Sequence, residues 1–150
     1  MKYILPLIIV LSSFSLFAQN KDGEWVKKNN DGIVVEKGQY ENKKKTGKWE
    51  YFYVDGVPSL MANYKNGILH GTSIRYDLTG NPIAILNYED GKITGQQTYF
   101  YSSGQVMSTG EMIDGKEVGA WKYYAPNGDV LGYVKYENGI QMDEMDKQQK

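Results

Sequence analysis

Few residues in this 150-residue chain have side chains suited to acid–base or metal chemistry. The chain has one histidine, His70, and no cysteine. Because zinc and other transition metals are usually held by histidine and cysteine, the sequence predicts no metal site. A Ser-His-Asp triad would need His70 as its base, and no G-x-S-x-G sequence accompanies it. His70 directly precedes a glycine, so we expect it to be an exposed turn residue.

The carboxylates are spread along the chain and do not form a recognisable catalytic pair. Glycoside hydrolysis needs two carboxylates at a defined separation. Glu41, Glu89 and Glu137 are evenly spaced along the chain, which favours a repeated, solvated position beside a turn. The glycines form no G-x-x-x-x-G-K-S/T loop, and no G-x-G-x-x-G sequence opens a helix. The sequence therefore predicts a protein that is not an enzyme and binds no cofactor.

Aromatic side chains are the remaining candidates for function, because the chain has 13 tyrosines and 3 tryptophans. Tyrosine and tryptophan are enriched in the hot spots of protein interfaces. The same rings can stack on sugars, so a glycan or cell-wall ligand is an alternative to a protein partner. Cross-strand aromatic pairs also stabilise sheets, which gives a purely structural alternative. The candidate partner-binding residues are Trp49, Tyr51, Tyr53, Tyr99, Tyr101, Trp121 and Tyr123.

A repeat of 24 residues determines the elements that would position these rings. The first glycine series is Gly23, Gly47, Gly71, Gly95 and Gly119. A second series begins at Gly32 and a third at Gly67, both with the same step, and the three series contain 14 of the 17 glycines. A fixed period of this length is typical of repeat architectures. We therefore divide the chain into five units that start at residues 23, 47, 71, 95 and 119.

Each unit has the features of a β-hairpin followed by a second turn. Dipeptides such as Asp55-Gly56 and Asn66-Gly67 favour tight turns, because they tolerate positive φ angles. The segments between them are rich in β-branched and aromatic residues. Glycine recurs at short intervals from Gly23 to Gly139 and leaves no long uninterrupted window, which disfavours helices. The predicted fold is all-β: an elongated single sheet of about ten strands, formed by a repetitive antiparallel hairpin meander.

Residue alternation predicts which side chains share a face of this sheet. Counting from the first glycine of each unit, the odd positions include Phe52, Ala62 and Tyr64 in the second unit. We expect the odd positions to form the core. The even positions, which include Trp49 and Tyr51, would then form an exposed aromatic face that binds the partner.

The first 18 residues are typical of a secretory signal peptide. Lys2 precedes an apolar run from Ile4 to Phe17, and Ala18 ends it. We expect cleavage after Ala18, which leaves a repeat domain over 19–139 and a tail over 140–150. The chain would be exported, to the periplasm or the extracellular space, with no membrane insertion after cleavage. The segment 19–150 has a formal charge of −2, which predicts no nucleic-acid binding.

The first unit is more polar than the others, with Lys27, Lys28 and the run Lys43–Lys45. Terminal repeats of such arrays are expected to be polar, because they cover an open sheet edge. An edge that is not covered in this way can pair with another chain. Edge-to-edge self-association is therefore a further partner class for this protein.

The last unit reads G-x-W-x-Y-Y from Gly119 and ends in Tyr136–Gly139. This pattern resembles the MORN-repeat family, and most closely its bacterial variant, in which Y-x-x-G closes each unit, as at Tyr64–Gly67 and Tyr88–Gly91. Some proteins of the variant family are named as antitoxins, and others of the wider family are membrane-associated scaffolds or accessory modules on enzymes. The resemblance implies a non-enzymatic scaffold for protein–protein interaction, with an antitoxin-like role. A glycan-binding module that uses the aromatic face is the alternative.

Overall fold

The computed structural model describes residues 22–142, which form one antiparallel sheet. The predicted signal peptide and the last eight residues of the predicted tail lie outside the described residues. The strands are β1 (Gly23–Lys28), β2 (Val34–Glu41), β3 (Lys44–Phe52), β4 (Pro58–Lys65), β5 (Ile68–Leu69), β6 (Gly71–Tyr76), β7 (Pro82–Glu89), β8 (Lys92–Ile93), β9 (Gly95–Phe100), β10 (Val106–Ile113), β11 (Lys116–Tyr124), β12 (Val130–Glu137) and β13 (Ile140–Gln141).

The sheet confirms the predicted all-β hairpin meander. Its hydrogen-bonded path runs β1-β2-β3-β4-β6-β7-β9-β10-β11-β12-β13, while β5 pairs with β4 and β8 pairs with β7. The ten longer strands agree with the predicted number of about ten and have six to nine residues each, while β5, β8 and β13 have two residues each. In the repeat, the short strands β5 and β8 correspond to the first two residues of β3 and β11, which continue without a break. The first two residues of the predicted tail form β13 and pair with β12.

The two turns of a unit use glycine differently. In the second unit, the Tyr53 carbonyl accepts from the Gly56 N–H at 2.9 Å, and only the glycine of Asp55-Gly56 has positive φ, 88°. Asp55 contributes through its side chain, which accepts from the Val57 N–H at 3.1 Å. In the other turn, Asn66 and Gly67 both have positive φ, 53° and 85°, as a type I′ turn requires.

The first glycine of the second to fifth units lies in a β-bulge. Between β2 and β3, Lys37 pairs with Glu50 and Gln39 pairs with Thr46, so one residue on β2 faces three on β3. Gly47 is one of those three and has a φ of 62°. Such an irregularity bends the strand, and glycine adopts the required conformation without the steric cost of a side chain. The period of this series from Gly47 to Gly119 therefore reflects a bulge that is repeated in the second to fifth units.

Side chains also connect each unit to the next in register. The Tyr53 hydroxyl donates to the Tyr76 carbonyl at 2.8 Å, and the Tyr101 hydroxyl donates to the Tyr124 carbonyl at 2.7 Å. Both bonds join residues at nearly the period of the repeat. Tyr53 and Tyr101 therefore stabilise the stacking of turns at one end of the hairpins.

The predicted assignment of faces is wrong, and a small bulge explains why. Tyr51 pairs with Leu60, but the next pair is Phe52 with Pro58, so one extra residue lies on β4. A register shift of one residue moves side chains to the other face of a sheet. Even positions of the first strand therefore share a face with odd positions of the second, as in the pair Trp49–Ala62.

The core lies on the face that carries these tryptophans, which we call the Trp face; the opposite side is the outer face. The buried side chains of the described residues are Trp49, Ala62, Ser73, Ala84, Leu86, Gln97, Ser108, Trp121 and Val134. All nine lie on the Trp face. The even-position aromatic residues, predicted to form the exposed face, thus belong to the core side of the sheet.

Candidate functional site

The two tryptophans among the candidates are structural. Trp49 is 0% exposed and Trp121 is 4% exposed. Each indole covers a glycine of the preceding strand, Gly38 or Gly110, and a Cβ placed on either glycine would overlap the ring. Their buried ring faces leave no surface for a partner, so the prediction that Trp49 and Trp121 are exposed is wrong.

Each of these indoles also satisfies a backbone carbonyl at the bulge. The Trp49 Nε1 donates to the Gln39 carbonyl at 3.1 Å, and the Trp121 Nε1 donates to the Glu111 carbonyl at 3.2 Å. A buried carbonyl without a partner destabilises a fold by about 1–3 kcal/mol. The tryptophans therefore stabilise the bulge through packing and through hydrogen bonding.

The third and fourth units place polar side chains where the other units have tryptophan. Ser73 and Gln97 are 2% and 0% exposed. The Gln97 Oε1 accepts from the Asn87 N–H at 2.9 Å, and its Nε2 donates to the Thr94 and Gly95 carbonyls, each at 2.9 Å. Gln97 thus satisfies backbone groups at its own bulge without an aromatic ring.

The five tyrosines among the candidates are half-buried and fall into two groups. Tyr53 and Tyr101 lie in turns, where their hydroxyls hold neighbouring units together. The other three, Tyr51, Tyr99 and Tyr123, lie on the Trp face.

Sequence reasoning missed a second row of tyrosines on this face. Residue alternation predicts that Tyr64, Tyr88 and Tyr136 point into a core on the other side of the sheet. Each lies instead at the Trp-face position that pairs with a first-series glycine, as in Gly71–Tyr88, and each is half-buried. Their regular spacing is visible in the sequence, but their face depends on the bulge.

Edge-to-face ring contacts connect the aromatic residues of the first two units. Trp25 and Tyr40 have ring centroids 5.7 Å apart at an interplanar angle of 87°, and Tyr40 and Trp49 are 4.9 Å apart at 80°. Trp49 contacts Tyr64 at 6.2 Å and 76°. Such contacts contribute about 0.5–1.5 kcal/mol each beyond area burial. We call Trp49, Tyr51 and Tyr64 the first cage, because they surround a cation.

That cation is the ammonium group of Lys45. Its Nζ lies 4.0 Å from the Trp49 ring centroid, 4.9 Å from that of Tyr51 and 5.5 Å from that of Tyr64. It donates to Glu36 Oε1 and to the Tyr51 hydroxyl, both at 2.7 Å. A partly desolvated cation over aromatic faces is stabilised by their quadrupoles. The Lys43–Lys45 run therefore includes a residue with a defined internal role.

The fifth unit repeats the same rings, which we call the second cage: Trp121, Tyr123 and Tyr136. Trp121 and Tyr136 have centroids 6.3 Å apart at 75°. The hydroxyl oxygens of Tyr123 and Tyr136 are 3.4 Å apart. Tyr99 packs against Trp121 with centroids 6.1 Å apart and an interplanar angle of 33°. The Trp face therefore has an aromatic cluster towards each end.

Comparison with known proteins agrees with this repeated geometry. Residues 69–90, 93–114 and 117–138 match the model of a family described as MORN repeat variant. Consecutive matches start 24 residues apart, which is also the interval between the glycines of each series. The family model thus matches three consecutive repeats of the chain. This confirms the resemblance for those units; the bacterial type and the antitoxin naming stay predictions. No curated protein matches the chain.

MORN repeats are a non-catalytic repeat type, and the tyrosine hydroxyls of these units are poorly suited to act as bases. Burial, followed by the hydrogen bond with Tyr51, raises the pKa of Tyr64 to about 12. Burial is also the main cause that raises the pKa values of Tyr51, Tyr88, Tyr99 and Tyr123. The hydroxyls thus remain protonated at neutral pH, where they can donate and accept hydrogen bonds.

The other titratable groups do not assemble into a site with recognisable chemistry. His70 is half-buried, with its Nδ1 3.6 Å from Asp90 Oδ1. Within residues 22–142, no group of three or more His, Asp or Glu side chains could hold a metal ion. A depression of about 440 Å³ on the outer face is lined by Gly110, Lys122 and Tyr133 among others. No helix in the described part of the chain could cross a membrane.

Proposed function

We propose that this protein is a non-enzymatic scaffold whose Trp face binds another protein. The observation that carries the proposal is the set of half-buried tyrosines that follow this face with no second layer of structure over them in residues 22–142. These tyrosines are Tyr40, Tyr51, Tyr64, Tyr88, Tyr99, Tyr123 and Tyr136.

The physical case rests on the partial burial of these rings. A tyrosine immobilised by its neighbours loses little conformational entropy when a partner covers it, and its hydroxyl can pair across the interface. The buried tryptophans contact these tyrosine rings and hold them in place, so they support binding without touching the partner themselves. Tyr51, Tyr99 and Tyr123 remain candidate contacts, and Tyr64, Tyr88 and Tyr136 join them.

The test uses a photo-crosslinking amino acid at Tyr88, in the middle of the face, in the full chain expressed in its native cell. Tyr133 lies on the outer face, where it pairs with Lys122, and provides the matched control position. We expect one protein to be crosslinked from position 88 and not from position 133. The purified protein should then bind the unlabelled chain saturably, and Tyr88→Ser should weaken that binding.

Two results would contradict the scaffold proposal. Equal crosslinking from both positions would mean that the Trp face has no special role. Capture of cell-wall fragments from position 88, with no protein, would assign the face to glycan binding instead.

Export and an antitoxin-like role are finer parts of the same proposal. Export is supported by the leader-like residues 1–18, and it predicts that the extracytoplasmic protein begins at Gln19. Sequencing the N-terminus of protein from the cell envelope tests this, and an intact Met1 there would contradict it. An antitoxin-like role predicts that the captured partner arrests growth when expressed alone and that this chain relieves the arrest. A harmless partner would exclude that role.

A further inference from the structure

The third unit places a positive charge in a row of tyrosines on the Trp face. Arg75, the only arginine of the chain, occupies a repeat position that holds tyrosine in three other units. These tyrosines are Tyr51, Tyr99 and Tyr123. The side chain of Arg75 is exposed, whereas the three rings are half-buried. The surface that we propose for partner binding therefore has an accessible cation near its middle.

Strand pairing places Arg75 on this face, between the two aromatic clusters. It pairs with Leu60 of β4 and with Ala84 of β7, and Ala84 in turn pairs with Tyr99 of β9. Neighbouring strands of a sheet lie about 4.8 Å apart, so Arg75 and Tyr99 are separated by about 10 Å across the small side chain of Ala84. A long arginine side chain can span much of that distance.

The repeat also places the guanidinium group beside Tyr88. In the second and fifth units, the tyrosine at the position of Arg75 meets the last tyrosine of the unit, with hydroxyl oxygens 3.0 and 3.4 Å apart. In the third unit these two positions are held by Arg75 and Tyr88. Burial raises the pKa values of Tyr88 and Tyr99, and the positive charge of Arg75 opposes the increase at both. The charge of Arg75 therefore acts on both hydroxyl groups.

The guanidinium group of Arg75 has no partner among residues 22–142. It forms no ion pair and no hydrogen bond with any described residue. Lys45, by contrast, is paired with Glu36 on the same face. Glu117 lies on β11, on the far side of Tyr99 from Arg75. Since a guanidinium group has five N–H donors and no acceptor, the ligand that complements Arg75 is an anionic acceptor.

We propose that Arg75 binds the carboxylate of an aspartate or glutamate side chain of the partner protein, with the hydroxyl groups of Tyr88 and Tyr99 as neighbouring donors. This inference rests on the proposed scaffold function and identifies the chemistry of one contact on the same face. A guanidinium group binds a carboxylate through two parallel hydrogen bonds, which fix its orientation. Arginine and tyrosine are also enriched among the residues that dominate binding at protein interfaces.

The first test is an NMR titration of the full chain with Ac-Gly-Glu-Gly-NH₂, followed through the arginine Nε–H resonance. Because the chain has one arginine, this resonance reports on Arg75 alone. It should shift saturably with the glutamate peptide and stay unchanged with Ac-Gly-Gln-Gly-NH₂, which has the same shape without the charge. An unshifted resonance, or equal shifts with the two peptides, would overturn the inference. Tighter binding of inorganic phosphate than of the glutamate peptide would also overturn it.

The second test measures the affinity of two variants for the protein captured from position 88. Arg75→Tyr introduces the residue of three other units and should weaken binding by about 10- to 100-fold, since a hydrogen bond between charged groups is lost. Arg75→Lys keeps the charge without the planar fork and should weaken binding less. Circular dichroism should show an intact sheet in both variants.

Lys27→Tyr is the matched control. Lys27 is exposed at the same repeat position in the first unit, so this variant loses the same charge and gains the same ring. It should bind the partner as tightly as the natural chain. Equal weakening by Lys27→Tyr and Arg75→Tyr would show that binding depends on net charge alone, which would contradict a defined contact at Arg75.

The two proposals can fail separately. If the captured partner binds Arg75→Tyr as tightly as the natural chain, the scaffold stands and the carboxylate contact is wrong. If the glutamate peptide binds Arg75 but no protein is captured from the Trp face, the scaffold proposal fails and Arg75 remains a carboxylate site.

Discussion

The second and fifth units of this sheet pack against the preceding unit with a tryptophan, whereas the third and fourth units use a smaller, polar side chain at the same position. Trp49 and Trp121 each cover a glycine of the preceding unit, Gly38 and Gly110. At the equivalent positions the third unit has Ser73 after Ala62, and the fourth has Gln97 after Leu86. Among these four units, a large ring occurs only where the preceding unit provides no side chain at all.

The difference shows how one repeat tolerates different residues without changing its backbone. Protein interiors are close-packed, so volume added at one position must be removed at its neighbour. The bulge recurs in the second to fifth units, but its carbonyl groups are satisfied by an indole in the second and fifth units and by Gln97 in the fourth. Only the second and fifth units combine a buried tryptophan with two neighbouring tyrosines in an aromatic cage.

The largest effect on stability should come from replacing one of the two buried tryptophans. Trp121→Ser leaves a cavity above Gly110 and an unpaired Glu111 carbonyl, which should lower the free energy of unfolding by about 3–5 kcal/mol. Urea denaturation measures this. Trp25→Ser is the control, because Trp25 is only half-buried and its Nε1 has no partner among the described residues. Equal losses at the two sites would contradict the role given to Gly110.

The packing rule itself is tested by a double-mutant cycle. Gly110→Ala places a methyl group inside the Trp121 ring and should cost about 1–3 kcal/mol of stability. In the Trp121→Ser background the same change should be nearly neutral, because it recreates the Ala62 and Ser73 combination. Additive effects of the two substitutions would show that the two positions are independent.

The first cage should be sensitive to the loss of its cation. Lys45→Met retains the aliphatic stem but leaves Glu36 without its ion pair, so we expect a loss of about 1–2 kcal/mol in thermal or urea unfolding. Lys44→Met is the matched control, since Lys44 is exposed and makes no ion pair in the described residues. Similar losses for both variants would mean that the cage does not stabilise the second unit.

The smallest effect concerns the second turn of the first unit, where lysine replaces the glycine of the later units. Lys43 has a φ of 61°, in a turn where Gly67, Gly91, Gly115 and Gly139 stand in the other units. Lys43→Gly should therefore raise stability by about 0.5–1 kcal/mol. Lys44→Gly, in the adjacent strand, should lower it. A neutral or destabilising Lys43→Gly would show that this turn carries no strain.

The three glycine series are sufficient to predict the hairpins, the turns and the single sheet, because each series corresponds to a fixed backbone conformation. They are not sufficient to assign the faces. The one-residue bulge between Pro58 and Leu60 reverses the alternation, and no residue type in that segment requires it. The aromatic rows are therefore identified correctly as features, but the tryptophans are placed on the wrong side.

A signal for the tryptophan sites is nevertheless present in the sequence. Three glycines belong to none of the three series, and two of them, Gly38 and Gly110, precede Trp49 and Trp121 by the same interval. These two glycines lie three units apart, which indicates a common reason for glycine. The contact of Lys45 with the rings could not be predicted in this way, because a run of lysines beside a turn is usually solvated.

The most direct test of the scaffold is an NMR titration of the chain, with labelled tyrosine rings, against the protein captured from position 88. We expect the largest changes at Tyr88, Tyr99 and Tyr136 on the Trp face, with the ring of Tyr133 on the outer face unchanged. Changes concentrated at Tyr133, with the Trp-face rings unaffected, would show that the partner binds the other side of the sheet.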